Sequence, residues 1–127
     1  MPLVTATLRR GKDAAFKTTM LDAVHRALVS SGVPSADLFQ RVLELADEDF
    51  RFDPLYPDLS SARTREFVLL EILWSVGRSV KVKRQVAADI VQVLQEALGL
   101  DPEHVMLCFK ETQWENWSFG GARFPHV

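Results

Sequence analysis

The segment Ser31–Val42, SGVPSADLFQRV, is answered later in the chain by Leu98–Phe109, LGLDPEHVMLCF. In each, a glycine is followed by one apolar residue, a proline comes within the next two positions, and a β-rich run begins. Gly32 matches Gly99 and Val33 matches Leu100. Glycine followed by proline is how a helix is stopped and the chain turned. Upstream of the first stop, Phe16, Met20, Ala23, Val24, Ala27 and Leu28 fall at helical spacing behind Asp13, a good N-cap. Upstream of the second, Val82, Val86, Ile90, Val93, Leu94 and Ala97 do the same behind Ser79. Each helix is preceded by a strand pattern, LVTATL at Leu3–Leu8 and EFVLLEILWS at Glu66–Ser75.

The order is therefore strand, helix, strand, loop, strand, helix, strand, which describes a duplicated β-α-β unit. A single domain over 1–127 is expected, with halves of about 1–63 and 64–127. Right-handed crossovers make the two long strands of each half parallel. The predicted fold is α+β: a four-stranded sheet with two helices on one face. The other face is expected to be apolar and bare, which favours self-association into a closed ring. Ala46–Thr64 reads as a long loop, and the tail NWSFGGARFPHV (116–127) as a short hairpin or closing arm.

Composition narrows the function. The chain has 127 residues, 47% hydrophobic and 25% charged, with a formal net charge of -2. This lacks the basic footprint of a nucleic-acid binder. Cys108 is the only cysteine, so no internal disulfide forms and a reducing, cytoplasmic setting is expected. No targeting segment is evident, and no apolar run approaches the ~20 residues that cross a bilayer. His25, His104 and His126 show no metal spacing, and no phosphate-binding glycine loop appears. Neither a metal nor a cofactor is expected.

The chain begins Met-Pro, a pair from which the initiator methionine is normally trimmed. Pro2 heads a strand although it brings no backbone N–H. It is either a passive strand opener or, once Met1 is removed, a secondary amine. A free α-amino group titrates near ~8, and an apolar pocket or nearby cation lowers that value. Neutral, such an amine removes a proton α to a carbonyl; charged, it polarises one.

MPLV with an Arg-Gly after the strand, GVPSADLFQRV, and the tail NWSFGGARF together resemble the tautomerase superfamily, and within it the malonate semialdehyde decarboxylase group. The resemblance spans essentially the whole chain. It implies an oligomer, a trimer by preference, that uses an amino-terminal proline on a small carboxylated carbonyl substrate. The two activities implied are 3-oxo acid decarboxylation and keto–enol tautomerisation. It also implies site roles. Pro2 and Asp37 would be catalytic; Arg78 would hold the substrate carboxylate; Trp117, Phe119 and Phe124 would form an apolar wall. Each has a plainer alternative: Asp37 as a turn residue, Arg78 as a surface cation, the aromatics as subunit packing. Trp74 and Trp114 read as core or interface residues. The chain departs from the group at Val76, where the first of two arginines is expected, and the glycine segment before Ala122 is short. Arg63, Arg65 and Arg123 are candidates for the missing cation. A catalytically inactive oligomeric interaction protein of the same fold is the alternative function.

Overall fold

A computed structural model of the chain describes residues 2–124. Met1 and Pro125–Val127, the end of the expected tail arm, lie outside the described residues.

The strands are β1 (Leu3–Arg9), β2 (Gln40–Leu45), β3 (Val68–Ser75) and β4 (Val105–Thr112). The helices are α1 (Ala14–Ser30) and α2 (Val80–Leu98). The sheet order is β2-β1-β3-β4. β1 and β2 are parallel, as are β3 and β4, and the central pair β1 and β3 is antiparallel. The two β-α-β units thus lie side by side with opposite strand directions.

Local chemistry sets the helix ends. Asp13 Oδ1 accepts the Phe16 N–H at 2.8 Å, and Ser79 Oγ accepts the Val82 N–H at 3.2 Å. Gly99 ends α2 in the left-handed region at φ +64°, where a side chain would be strained. Between helices and sheet lies one core. Met20, Ala23, Val24, Ala27 and Leu28 of α1 and Val86, Ile90 and Leu94 of α2 are buried against Val4, Ala6, Leu8, Leu70, Ile72 and Trp74. Val82 and Ala97, expected in the α2 core stripe, are instead exposed at the helix's ends.

The second sheet face differs from expectation. It carries Leu3, Leu43, Leu69, Leu73 and Met106, but a polar band crosses it. Arg41 Nε donates to Thr5 Oγ1 at 2.9 Å, and Lys110 forms an ion pair with Glu71. The face is mixed because β1 turns its threonines outward, Thr5 lies in register with Arg41 of β2 and Glu71 of β3, and β4 adds Cys108 beside Glu71 and Lys110 beside Leu73.

Among the described residues, no helix is long and apolar enough to cross a membrane, and no group of three or more His, Cys, Asp or Glu could hold a metal ion.

Candidate active site

The strand register gathers the start of β1, the end of β3 and the start of β2 at one end of the sheet. Leu3 pairs with Leu73, so one step earlier Pro2 lies beside Trp74. Parallel pairing of Val4 with Gln40 brings the turn containing Asp37 to the same end. Pro2 is buried, and the Val4 N–H donates to the Phe39 carbonyl at 3.0 Å, tying the two segments.

Arg78 reaches this end from the β3–α2 turn. Its guanidinium lies over the Trp74 ring, 4.0 Å from the centroid, and Nη1 donates to the Ser75 carbonyl at 2.9 Å. The indole below supports the cation through its π face and is itself fully buried, stacked on Phe109 at 5.0 Å. Burial pulls the Arg78 pKa below its ordinary value, while the charges of Glu111 and Asp37 act in the opposite direction. A guanidinium so placed remains cationic at neutral pH.

A cavity of about 340 Å³ opens here, lined by Gly32, Val33, Pro34, Asp37, Arg78, Trp114 and Phe119. That size suits a small molecule. The structure thus brings Asp37, Arg78 and Phe119 to one cavity, with Pro2 buried at the same end of the sheet though absent from the lining. Trp117 lies one layer back, its ring 6.0 Å from Phe119 and nearly parallel at 5°. Phe39 meets Phe119 from the other side at 6.1 Å. Phe124 is placed elsewhere, about a neighbouring recess of about 370 Å³ with Phe119, Gly120 and Arg123. The tail bends there because Gly120 and Arg123 form a bridge closed by the Arg123 N–H to the Gly120 carbonyl, 3.1 Å.

Two expectations about these residues need correction. Trp114, read as core or interface, does not lie in the core: it is 38% exposed and lines the cavity. The short 3-10 turn Trp114–Asn116 after β4 swings it there, and no periodic pattern announces such a turn. Arg63 and Arg65 are at the wrong end of the sheet to replace the arginine absent at Val76. They precede β3, whose first residue, Val68, pairs with Leu8, whereas Pro2 sits at the other end of β1. Seven residues of strand, roughly 20 Å, separate the two ends. Arg63 donates to the Asp53 carbonyl at 2.6 Å, and Arg65 is ion-paired with Asp47.

The family model described as "Tautomerase enzyme" matches residues 37–120, a span that holds Asp37, Arg78, Trp114, Trp117 and Phe119. The probable tautomerase YusQ of Bacillus subtilis (strain 168) is 27% identical over 124 residues, 97% of this chain and 96% of that protein. Among solved structures, malonate semialdehyde decarboxylase, studied as wild type, proline-to-alanine mutant and inactivated enzyme for its decarboxylase and hydratase activities, is 28% identical. It superposes with a TM-score of 0.89 over 95% of this chain and 92% of its own. A fused 4-OT, a symmetric trimer, shares the fold at 22% identity and a TM-score of 0.78, covering 98% of this chain and 96% of its own. With the family model spanning well over half its length, the chain belongs to the tautomerase family.

Proposed function

We propose that the cavity at the Pro2 end of the sheet is the active site of an enzyme that moves a proton on a small carboxylated carbonyl compound. The observation that carries this is Arg78: an arginine seated on an indole and lining a cavity that Asp37 also lines. The guanidinium offers parallel N–H donors that match a substrate carboxylate. Holding that carboxylate brings the adjoining carbonyl toward Asp37 and the start of β1.

Pro2, its nitrogen freed by loss of Met1, is the acid/base. In tautomerisation of a 2-oxo acid the neutral amine takes the proton from the carbon next to the carbonyl, leaving an enolate, and the prolyl ammonium delivers it to the enolate oxygen to give the enol. In decarboxylation of a 3-oxo acid the ammonium polarises the carbonyl. The bond to the carboxyl carbon breaks, its electrons form the carbon–carbon double bond as the carbonyl oxygen takes the ammonium's proton to give an enol, and carbon dioxide leaves. Asp37 orients the carbonyl or the ammonium. Phe119, backed by Trp117, keeps water away and favours the neutral amine. The likeness to malonate semialdehyde decarboxylase, whose proline mutant was examined, supports the role of Pro2. The single arginine, with Val76 in place of a second, favours tautomerase activity on several substrates over a dedicated decarboxylase.

The working unit is a homotrimer. The apolar residues Leu3, Leu43, Leu69, Leu73 and Met106 on the helix-free sheet face supply a surface for it, and the fused 4-OT neighbour is trimeric.

The test is an assay of wild type and Pro2→Ala on a 2-oxo acid and a 3-oxo acid, with intact mass measured for both proteins. Activity reduced about 10²-fold or more in Pro2→Ala supports general acid–base work by this residue. Equal activity, or an active protein whose mass includes Met1, excludes it, because the prolyl nitrogen is then an amide. Absence of activity on either substrate, in a protein lacking Met1, supports the interaction-protein alternative.

A further inference from the structure

Two charged residues next to Arg78 play no part in the chemistry above. Lys83 lies in the first turn of α2, its N–H bonded to the Ser79 carbonyl at 3.1 Å. Glu111 is near the end of β4, and Lys83 Nζ meets Glu111 Oε1 at 2.5 Å. Both side chains are about one-quarter exposed, so the pair is less screened than a fully solvated one.

The strand register explains why Glu111 matters. It pairs with Trp74, the residue whose indole carries Arg78. Glu111 therefore lies on the strand next to the one whose indole carries the guanidinium, and its charge, like that of Asp37, favours the Arg78 cation. The carboxylate has two cations within its field. Bound to Lys83, it leaves to a ligand the Arg78 donors that the Ser75 carbonyl does not take. Released from Lys83, it becomes a bidentate partner for Arg78 and competes with any carboxylate entering the cavity.

We propose that Lys83 is a positioning residue that keeps Arg78 available to the substrate by holding Glu111 away from it, a role that rests on the assignment of Arg78 as carboxylate holder. Lys83 also balances the charges gathered there. Its loss leaves Glu111 without the cation that pairs with it, which makes the approach of an anion less favourable. A lysine acting through a glutamate thus does part of what the arginine absent at Val76 does by direct contact.

A double-mutant cycle tests this in the full chain. Lys83→Met is expected to raise KM for the carboxylated substrate about tenfold, with kcat within about twofold of wild type. Glu111→Gln removes the competing anion and lowers KM. In the double variant KM returns to the wild-type value or below. The inhibition constant for malonate, which carries carboxylates but no ketone or aldehyde, follows the same order. Lys83→Arg keeps the wild-type KM. Should Lys83→Met fold poorly, Lys83→Gln is read in the same way. A KM unchanged by loss of Lys83, or a double variant as impaired as Lys83→Met, overturns the proposal. An Arg78→Ala variant separates the two levels. If it binds malonate as wild type does, the assignment of Arg78 fails. If it binds poorly while the Lys83/Glu111 cycle is flat, only the role of Lys83 fails.

Discussion

The two ends of the sheet are built from equivalent parts and have different fates. At one end Pro2 precedes β1, Arg78 follows β3, and the turn holding Asp37 leads into β2. At the other, Phe67 precedes β3, Arg9 ends β1, and the turn Asp101–His104 leads into β4. Both ends seat an arginine on an aromatic ring, Arg78 over Trp74 at 4.0 Å and Arg9 over Phe52 at 4.6 Å. The far end is then filled. The long loop folds Phe50 and Phe52 onto Phe67, at 5.5 and 4.4 Å. Arg9 donates Nε and Nη2 to the Phe50 carbonyl, and Arg65 is neutralised by Asp47. Ser61 and His104 fasten the loop to the turn before β4. Among the described residues no such loop reaches the near end, where a cavity is left. One frame offers two pockets, and the connecting segments decide which is plugged.

This comparison can be broken at either end. The largest effect is expected at the plugged end. Phe67 is 3% exposed, and Phe67→Ala should cost about 3–5 kcal/mol in urea unfolding with kcat of the folded enzyme unchanged. A loss of turnover with stability intact would mean that the far end takes part in catalysis. At the open end the pattern inverts. Arg78→Ala should lower kcat/KM by about 10²-fold, as expected for charge-assisted hydrogen bonds worth ~1.5–3 kcal/mol, and change stability little. Arg78→Lys should recover only part, since an ammonium cannot match a carboxylate in two parallel bonds. Phe119→Ala should lower kcat/KM about tenfold by admitting water to the cavity, measured with the same substrate.

The smallest effect belongs to Asp101. The Glu103 N–H and the Ser61 hydroxyl hold its carboxyl below the usual carboxylate range. Its contribution to stability is full above the unfolded value of about 3.9 and is lost as pH falls through the lower folded value. Asp101→Asn should therefore be slightly less stable than wild type at neutral pH, and the two should converge in acid. A gap of constant size at every pH would show that charge is not what Asp101 contributes.

Much of the frame was legible in the sequence because it rests on local chemistry. Asp13 and Ser79 cap helices, Gly99 ends one, and alternation in LVTATL marks a strand. Asp37, Arg78 and Phe119 could be singled out by their likeness to a known pattern, and they share a cavity. What stayed hidden depends on register and loop path. Nothing local to Trp114 or Glu111 says that one turns into the cavity or that the other pairs with Trp74. Likewise Arg63 and Arg65 looked available, since the composition of a loop does not tell which end of a strand it covers. The mixed outer sheet face escaped for the same reason: Thr5 and Arg41 meet only once β1 and β2 are aligned.

The central claim is that the Pro2 nitrogen is a free amine tuned for proton transfer. Its most direct test is a pH titration of the protein labelled with nitrogen-15 proline, followed by NMR. The account predicts one prolyl resonance that moves with pH, with a midpoint below the ordinary amine value of about 8. Proline resonances that are all insensitive to pH would show an amide nitrogen at Pro2 and contradict it.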